Sequence, residues 1–291
     1  VYGSLAARLS GVASCVNAVA GMGYVFISDD TKARVLRPMV RALLKLALDG
    51  RGARLILQNP DDVALFEEAG LVDGKHVRLI AGSGVDCSRF GPREHVRARD
   101  LPFRVLLPAR LLWDKGVAEF VAAARRLKGE GRKIDFLLAG EPDPGNPAAV
   151  PVSELNAWVE EGVVQWQGHV DDMPAIFASV DMVVLPSYRE GLPKGLIEAA
   201  ACALPLVTTD VPGCREVVTD GVDGLLVPAR NAHALADAIA RLHDDTALAQ
   251  RLGNAARAKA LAIFDERIVI ASTLAVYKEL FDDAAPVEAA R

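Results

Sequence analysis

The chain is predicted to fold as an α/β protein with parallel β-sheets whose two faces are covered by helices. About half of the 291 residues (51%) are hydrophobic and 24% are charged, a balance typical of folded globular proteins. Short continuous apolar segments alternate with segments of helical periodicity, which indicates strands that are buried on both faces of a parallel sheet. Because a domain usually holds roughly 100–200 residues, the length predicts two domains or one large one.

The first hundred residues predict a small sheet that is preceded by a helix over Tyr2–Leu9. Three strand-like segments follow this helix: Tyr24–Ile27, Leu55–Leu57 and Val77–Ile80. Doubly wound domains usually have about five or six strands, so three strands leave this domain incomplete. The chain also begins without Met, and we therefore expect a fragment of a longer protein with a partial first domain over residues 1–95.

The rest of the chain predicts a complete parallel sheet in a domain over residues 98–264, joined to the first by a linker within Phe90–Asp100. The predicted strands are Phe103–Leu107, Ile134–Ala139, Val163–Trp166, Asp181–Pro186, Leu204–Thr208 and Gly224–Pro228. The predicted helices include Gly116–Lys128, one that starts at Asp171–Pro174, and Pro193–Cys202. Because parallel sheets bind ligands beyond the carboxyl ends of their strands, candidate site residues are expected in the loops there.

Composition argues against several classes of function. The formal net charge of −5 divides into +3 over residues 1–100 and −8 over the remainder, which argues against a nucleic-acid-binding surface in that remainder. The four cysteines lack paired spacing, and with five scattered histidines they form no metal-ligand motif. No run of roughly 18 apolar residues is present that would cross a membrane. Unpaired cysteines of this kind are typical of the reducing cytoplasm.

One predicted helix, Pro38–Leu48, is basic along one side. Its predicted apolar face consists of Met39, Val40, Leu43 and Ala47, with Arg41 and Lys45 opposite and Lys32, Arg34 and Arg37 just before it. Two interpretations stay open at this point. The helix either packs on the core with a solvated basic side, or presents that side to an anionic membrane or a diphosphate-lipid.

Two glutamates, Glu190 and Glu198, flank the start of the predicted helix Pro193–Cys202. Free backbone amides at such a helix start attract phosphate, and Gly191 lets the backbone approach a ligand closely. The two carboxylates would then accept hydrogen bonds from hydroxyls on either side of a bound diphosphate. In the alternative interpretation, Glu190 interacts with the helix dipole and Glu198 is a surface acid paired with Lys194.

Two further loops that follow predicted strands carry polar residues. Arg110 and Lys115 lie after the first strand of the second domain, where their charge would neutralise a leaving diphosphate. The alternative is two solvated cations, although the helix macrodipole disfavours cations at a helix start. The other loop, Gln167–Val170, contains His169, and a structural role is the commoner one for a lone histidine.

The segment that contains the two glutamates resembles the donor-site signature of family 4 retaining glycosyltransferases, whose fold is GT-B. It reads SYREGLPKGLIEAAACALPLVTTDVPGCREVVTDGVDGLLVP, and Glu190 and Glu198 match the two signature glutamates, which are separated by seven residues. Further blocks occur in the family's order: GSGVDCSRF, PARLLWDKG, LLAGEPD and VQWQGHVDDMPAIFASVDMVVLPS. The resemblance covers most of residues 78–285. It implies two Rossmann-like domains, the N-terminal one truncated, with a helix over residues 265–282 that returns to that domain.

The resemblance also implies a role for each matched residue. Arg110 and Lys115 would bind the nucleotide diphosphate, and Glu198 would bind the ribose hydroxyls. Glu190 would contact the donor sugar and stabilise an oxocarbenium-like transition state. The residues that would complete the donor site are Gly140, Gln167, Gly168, His169, Val170, Gly191, Leu192 and Pro193. The reaction would use a nucleotide-diphosphate sugar such as a UDP-sugar, retain the anomeric configuration through front-side attack, and need no metal and no cofactor.

The front of the chain resembles enzymes that extend undecaprenyl-diphosphate-linked sugars in bacterial surface polysaccharide assembly. The segments VYGSLAARLSGVASCVNAVAGMGYVF and LILQNPDDVALF carry this likeness. It implies transfer of a hexose or N-acetylhexosamine to a polyprenyl-diphosphate-linked or glycan acceptor, by a cytoplasmic protein at the inner face of the cytoplasmic membrane. The family's glycine-rich first loop and acceptor-side histidine match no residue here. A nucleotide-sugar epimerase of the same fold and a donor-binding fragment without turnover are the alternatives.

Overall fold

A computed structural model describes residues 2–20, 31–48, 50, 52–93 and 101–284 of the chain, with the helix backbone alone over 31–37 and 283–284. The chain forms two compact units. The small unit combines Val1–Gly84 with Arg267–Arg291, and the large unit is Val85–Glu266. Both contain parallel strands with helices, so the predicted α/β class is confirmed.

The small unit has a parallel sheet in the order β1-β2-β3 in the part that the structure describes. Its elements are α1 (Tyr2–Leu9), β1 (Cys15–Val19), α2 (Thr31–Leu48), β2 (Ala53–Leu57), α3 (Pro60–Glu68), β3 (Val77–Leu79) and most of the Glu266–Ala284 helix. β1 was not predicted from the sequence, because Asn17 interrupts its apolar pattern. The Asn17 side chain instead accepts a 2.6 Å hydrogen bond from Ser4 of α1. The predicted strand Tyr24–Ile27 lies outside the described residues.

The α2 helix packs through a different face from the predicted one. Leu44, Ala47 and Leu48 contact a core formed by Leu55, Leu57, Phe66, Leu71 and Val72. Met39 and Leu43, which were predicted to be buried, are 56% and 40% exposed. The prediction was wrong in this respect because the helix carries more leucines than one face can hold, and periodicity alone did not decide which row is buried.

The Glu266–Ala284 helix covers the opposite face of the small sheet. Its residues Val269 and Val276 are buried against Ile56 and Ile80. Glu279 on this helix holds two arginines of the sheet: it accepts a 2.8 Å bond from Arg54 Nε and another of 2.8 Å from Arg78 Nε. Both faces of the small sheet are therefore covered by helices, as expected for a parallel sheet.

The large unit has a six-stranded parallel sheet in the order β6-β5-β4-β7-β8-β9. Its elements are β4 (Phe103–Pro108), α4 (Val117–Gly129), β5 (Ile134–Ala139), α5 (Val152–Glu160), β6 (Gln165–Trp166), α6 (Met173–Ala178), β7 (Met182–Leu185), α7 (Lys194–Ala201), β8 (Leu206–Thr209), α8 (Cys214–Val217), β9 (Leu225–Val227), α9 (Ala232–Asp244) and α10 (Thr246–Lys259). Counted within this unit the order is 3-2-1-4-5-6, the doubly wound arrangement. In such a sheet the strand order reverses between its first and fourth strands, here β4 and β7.

Residues 85–93 belong to the large unit and overlap the linker predicted within 90–100, the rest of which lies outside the described residues. Three contacts hold this segment there. The Phe90 ring packs on Phe177 at 6.1 Å between centroids. Arg93 pairs with Asp181 at 3.0 Å, and Arg257 donates a 2.7 Å bond to the Phe90 carbonyl. The division between the units therefore comes at Gly84 and Val85.

Candidate donor-binding site

The two loops that leave β4 and β7 are pressed together at the reversal of the strand order. The Tyr188 amide donates a 2.8 Å hydrogen bond to the Asp114 carbonyl. Gly116, at φ 73°, has no space for a side chain, since a Cβ there would lie 2.2 Å from the Pro186 carbonyl oxygen. This crevice, beyond the carboxyl ends of the strands, is where doubly wound sheets bind their ligands.

Lys115 and Glu190, predicted from separate loops, form an ion pair in this crevice. Lys115 Nζ lies 2.6 Å from Glu190 Oε1, and the two side chains are 16% and 12% exposed. Ser187 Oγ donates a 2.7 Å hydrogen bond to the same oxygen. The Glu190 amide donates to the Pro212 carbonyl at 3.0 Å. The Glu190 carboxylate is thus held by the Lys115 ammonium and the Ser187 hydroxyl, and the Glu190 backbone is held by its bond to Pro212.

A cavity of about 470 Å³ opens at the same end of the sheet. Five of the predicted site residues line it: Arg110, Gly140, His169, Val170 and Glu198. The other predicted site residues are outside its lining: Lys115, Gln167, Gly168, Glu190, Gly191, Leu192 and Pro193. The structure therefore brings five of the predicted residues together around one cavity, and the Lys115–Glu190 pair forms a separate group outside its lining.

Gly140 joins the ends of three strands at one wall of this cavity. Its φ of 138° suits glycine, and a Cβ there would lie 2.0 Å from the Ala109 carbonyl oxygen. Its amide donates to the Gly168 carbonyl at 2.7 Å, and its carbonyl accepts a 2.8 Å bond from Trp166 Nε1. The loop with Gln167 and Gly168 is therefore fixed to the cavity wall through its backbone.

Glu198 is the most buried carboxylate of the cavity, at 8% exposure. Burial raises the pKa of its carboxyl, and the nearby Lys194 ammonium opposes that rise. Lys194 Nζ lies 3.7 Å from Glu198 Oε1. The ion pair of the alternative interpretation is thus present, but Glu198 is not a surface acid.

The start of α7 faces the cavity. Gly195 and Lys194 line it, and a Cβ on Gly195 would meet the Pro108 carbonyl oxygen at 2.9 Å, so the helix start lies close against the end of β4. The first amides of a helix have no acceptor within the helix and carry a partial positive charge. Together with Arg110 and Lys194 they form a surface suited to a diphosphate.

Arg110 is 63% exposed and pairs with Asp143 at 2.9 Å. Sequence reasoning missed Asp143, which lies in a proline-rich loop and lines the cavity beside Glu141. It also missed Ser187, although its place three residues before Glu190 was a usable signal. His169 is exposed, with Nε2 3.1 Å from Asp171, so its side chain is not a buried structural one.

Within the described residues, no group of three or more His, Cys, Asp or Glu side chains is arranged to hold a metal ion. The expectation that the site works without a metal or cofactor stays a prediction.

Comparison with known proteins gives a consistent result. The family model described as "Glycosyl transferases group 1" matches residues 102–245. The chain is 31% identical over 286 residues to N,N'-diacetylbacillosaminyl-diphospho-undecaprenol alpha-1,3-N-acetylgalactosaminyltransferase of Campylobacter jejuni, covering 95% of this chain and 73% of the relative. It is 32% identical over 200 residues to glycogen synthase of Mycobacterium tuberculosis, covering 68% of this chain and 47% of that relative.

A solved structure gives the same likeness at the level of the fold. The crystal structure of Anabaena HepE in complex with UDP and glucose matches with a TM-score of 0.78 and 22% identity. The match covers 94% of this chain and 74% of that one. The two proteins therefore share a fold over 94% of this chain.

Proposed function

This chain belongs to the group 1 glycosyl transferases and has the GT-B fold, and from that premise we propose that it transfers a sugar from a nucleotide-diphosphate sugar to an acceptor hydroxyl with retention of configuration. The observation that carries this proposal is the single cavity that joins Arg110, the start of α7 and the buried Glu198, with the Lys115–Glu190 pair in the crevice between the neighbouring loops. The alternative of an epimerase has no support from the comparisons.

The chemistry of the cavity supports binding of the nucleotide part of the donor there. Glu198 would accept hydrogen bonds from the ribose hydroxyls, because its mostly buried carboxylate lines the cavity. The start of α7 and Arg110 would hold the diphosphate. The loop Gln167–Val170 would contact the base through its backbone. We propose a UDP-sugar as the donor, carrying a hexose or N-acetylhexosamine.

The Lys115–Glu190 pair would act at the bond that breaks. The bond between the anomeric carbon and the diphosphate oxygen lengthens, and the Glu190 carboxylate stabilises the positive charge that develops on the sugar. Lys115 stabilises the negative charge on the departing diphosphate. The acceptor oxygen attacks the same face of the sugar, and its proton passes to the diphosphate oxygen, so the reaction balances without a further acid or base.

We propose a polyprenyl-diphosphate-linked or glycan acceptor, and a cytoplasmic protein that contacts the inner face of the membrane. The Campylobacter relative is named for transfer to such a lipid-linked sugar and aligns with 95% of this chain. The α2 helix supports membrane contact, because Met39, Leu43, Leu46 and Lys45 on it are exposed. In the part of the chain that is described, no helix has the length and hydropathy needed to cross a bilayer.

Transfer of radiolabelled sugar from UDP-glucose or UDP-N-acetylglucosamine to an extract of bacterial lipids tests the proposal. The unaltered chain is expected to transfer the label, and Glu190→Ala is expected to lose transfer while keeping its fold and its binding of UMP. Glu161→Ala, which breaks an exposed pair with Arg125 on the same unit, is the matched control. Binding of the donor without transfer would favour the donor-binding alternative. Unchanged turnover in Glu190→Ala would contradict the assigned mechanism.

A further inference from the structure

A second cluster of side chains links the loop after β7 to α4, close in sequence to Lys115 and Glu190. The Tyr188 hydroxyl donates a 2.8 Å hydrogen bond to Glu119 Oε1 on α4. The Arg230 guanidinium lies over the Tyr188 ring, 4.1 Å from its centroid. We call these three residues the tyrosine cluster. None of them lines the cavity.

Burial makes the hydrogen bond of this cluster hard to replace. Glu119 Oε2 is inaccessible to solvent and has no hydrogen-bond donor among the described residues, so Tyr188 supplies the carboxylate with its side-chain partner. Tyr188 is half-buried, and burial together with Glu119 raises the pKa of its hydroxyl to about 12. The hydroxyl therefore stays protonated and keeps donating at all ordinary pH values.

Arg230 is held over the ring in a backbone conformation that non-glycine residues rarely adopt, with φ at 58°. It directly precedes Asn231, whose side chain accepts a 2.9 Å bond from Ala234 at the start of α9. A strained residue persists where its surroundings fix it. The Arg230 guanidinium that lies over the Tyr188 ring is thus carried by the turn that leads into α9, and this turn fixes the position of Arg230.

The position of the cluster along the chain connects it to the ion pair. Tyr188 lies two residues before Glu190. Lys115 lies in the loop before α4, and Glu119 is in the first turn of that helix, four residues later. The Tyr188–Glu119 bond therefore ties the loop that carries Glu190 to the start of α4, and the Tyr188 amide ties it to the Asp114 carbonyl at 2.8 Å. The two partners of Tyr188, Asp114 and Glu119, thus lie on either side of Lys115 along the chain.

We propose that Tyr188 and Glu119 are positioning residues that set the separation of Lys115 and Glu190 for the donor's sugar-diphosphate end, with Arg230 holding the Tyr188 ring in place. This inference rests on the proposed function, because it assumes that the ion pair meets a nucleotide sugar. It predicts that changes to the tyrosine cluster weaken the binding of the second phosphate and the sugar of the donor. Binding of the nucleoside and its first phosphate is expected to stay unchanged. The reason is that positioning errors of well under 1 Å weaken interactions that depend on orientation.

Calorimetric titration with two probes tests this inference. UDP-glucose, UDP-N-acetylglucosamine and GDP-mannose are first compared, and the tightest is then titrated beside its nucleoside monophosphate. Tyr188→Phe and Glu119→Ala are each expected to weaken binding of the nucleotide sugar by about five- to tenfold, because Lys115 and Glu190 lose one of the contacts that position them. Binding of the monophosphate should stay within about twofold. Tyr277→Phe makes the same chemical change in the small unit and should alter neither affinity.

Two further variants separate positioning from folding. Glu119→Gln keeps an oxygen that accepts from Tyr188 and is expected to restore binding to within about twofold of the unaltered chain. The double variant Tyr188→Phe with Glu119→Ala is expected to bind no more weakly than either single variant, because both remove one interaction.

The outcomes are distinguishable. If the unaltered chain binds none of the nucleotide probes, the proposed function is overturned and this inference with it. If the chain binds them and the two single variants leave nucleotide-sugar affinity unchanged, or weaken both probes equally, the positioning role is overturned while the proposed function stands.

Discussion

The Glu198 carboxyl is held away from water, and burial raises its pKa because a charged group is poorly solvated there. A group whose pKa is raised on folding stabilises the fold below its unfolded-state value, 4.5 here, and that contribution is lost as the pH rises through the folded-state value. Ionisation of Glu198 in the folded chain therefore lowers the free energy of unfolding. A residue kept at such a cost is typical of a binding site.

We expect Glu198→Gln to raise the free energy of unfolding by about 1 kcal/mol while weakening nucleotide binding by about tenfold or more. The amide removes the buried charge but accepts hydrogen bonds from hydroxyls less strongly. Thermal denaturation and calorimetric titration measure the two effects. Glu160→Gln, on an exposed position of α5, is the matched control and should change neither. Nucleotide affinity that is unchanged in Glu198→Gln would contradict its assigned role.

Tyr188 gives a prediction about pH at the same scale. Its pKa is raised to about 12, mainly by burial and then by Glu119, so its ionisation falls well above the ordinary value of 10. The stability that this hydroxyl contributes is complete below pH 10 and is lost as the pH rises towards 12.

Absorbance of the tyrosinate ion checks this prediction. The chain has four tyrosines, so the difference between its titration and that of Tyr188→Phe isolates this residue. Glu119→Gln is expected to lower the pKa of Tyr188 towards 10 without reaching it, because burial remains the main cause of the shift. Ionisation of Tyr188 near pH 10 in the unaltered chain would contradict both the burial of its hydroxyl and the hydrogen bond to Glu119.

Among the elements, those of the large unit were the most predictable from sequence. β4, β5, β7 and β8 are buried on both faces, and each therefore appears in the sequence as a continuous apolar run. α6 was predictable from its start, where Asp172 accepts a 3.2 Å bond from the Ala175 amide. The local sequence was enough to predict an element wherever its burial or its helix cap is determined by neighbouring residues.

The same reasoning failed where distant residues decide the structure. β1 contains Asn17, and the Ser4 hydroxyl that satisfies it comes from another helix. The buried row of α2 is selected by Phe66 and Leu71, which lie beyond the helix in the chain. The spacing of Glu190 and Glu198 indicated a site, but the hydrogen bond of Tyr188 to Glu119 spans 69 residues and leaves no local pattern.

At the scale of elements, Gly116 decides how closely the loops after β4 and β7 approach. We expect Gly116→Ala to lower the free energy of unfolding by at least about 3 kcal/mol, since its Cβ would meet the Pro186 carbonyl oxygen at 2.2 Å. Gly131→Ala is a matched control: its φ of 79° is close to the 73° of Gly116, but the space around it is open. It should cost about 1 kcal/mol. Chemical denaturation measures both, and equal costs would contradict the close approach.

At the scale of the whole molecule, positive and negative charges are distributed unevenly along the chain. The chain has a net charge of −5, but its α2 helix is basic. We expect the chain to sediment with vesicles that contain anionic phospholipid and to be released by salt, because the attraction is screened. Replacing the exposed Leu43 and Leu46 by Ser should reduce the bound fraction several-fold. Val152 and Val159, which are exposed on α5, are the matched positions for a control pair of Ser variants. Equal binding to uncharged vesicles would contradict this expectation.

The small unit combines two segments of the chain that lie on either side of the large unit, so its packing is completed late in synthesis. Residues 85–266, which form the large unit, leave the ribosome before residues 267–284. The face of the small sheet that carries Ile56 and Ile80 therefore stays uncovered until Val269 and Val276 have been synthesised. Because an uncovered apolar sheet face is prone to aggregation, the strands of the small unit are vulnerable for as long as the large unit takes to be made.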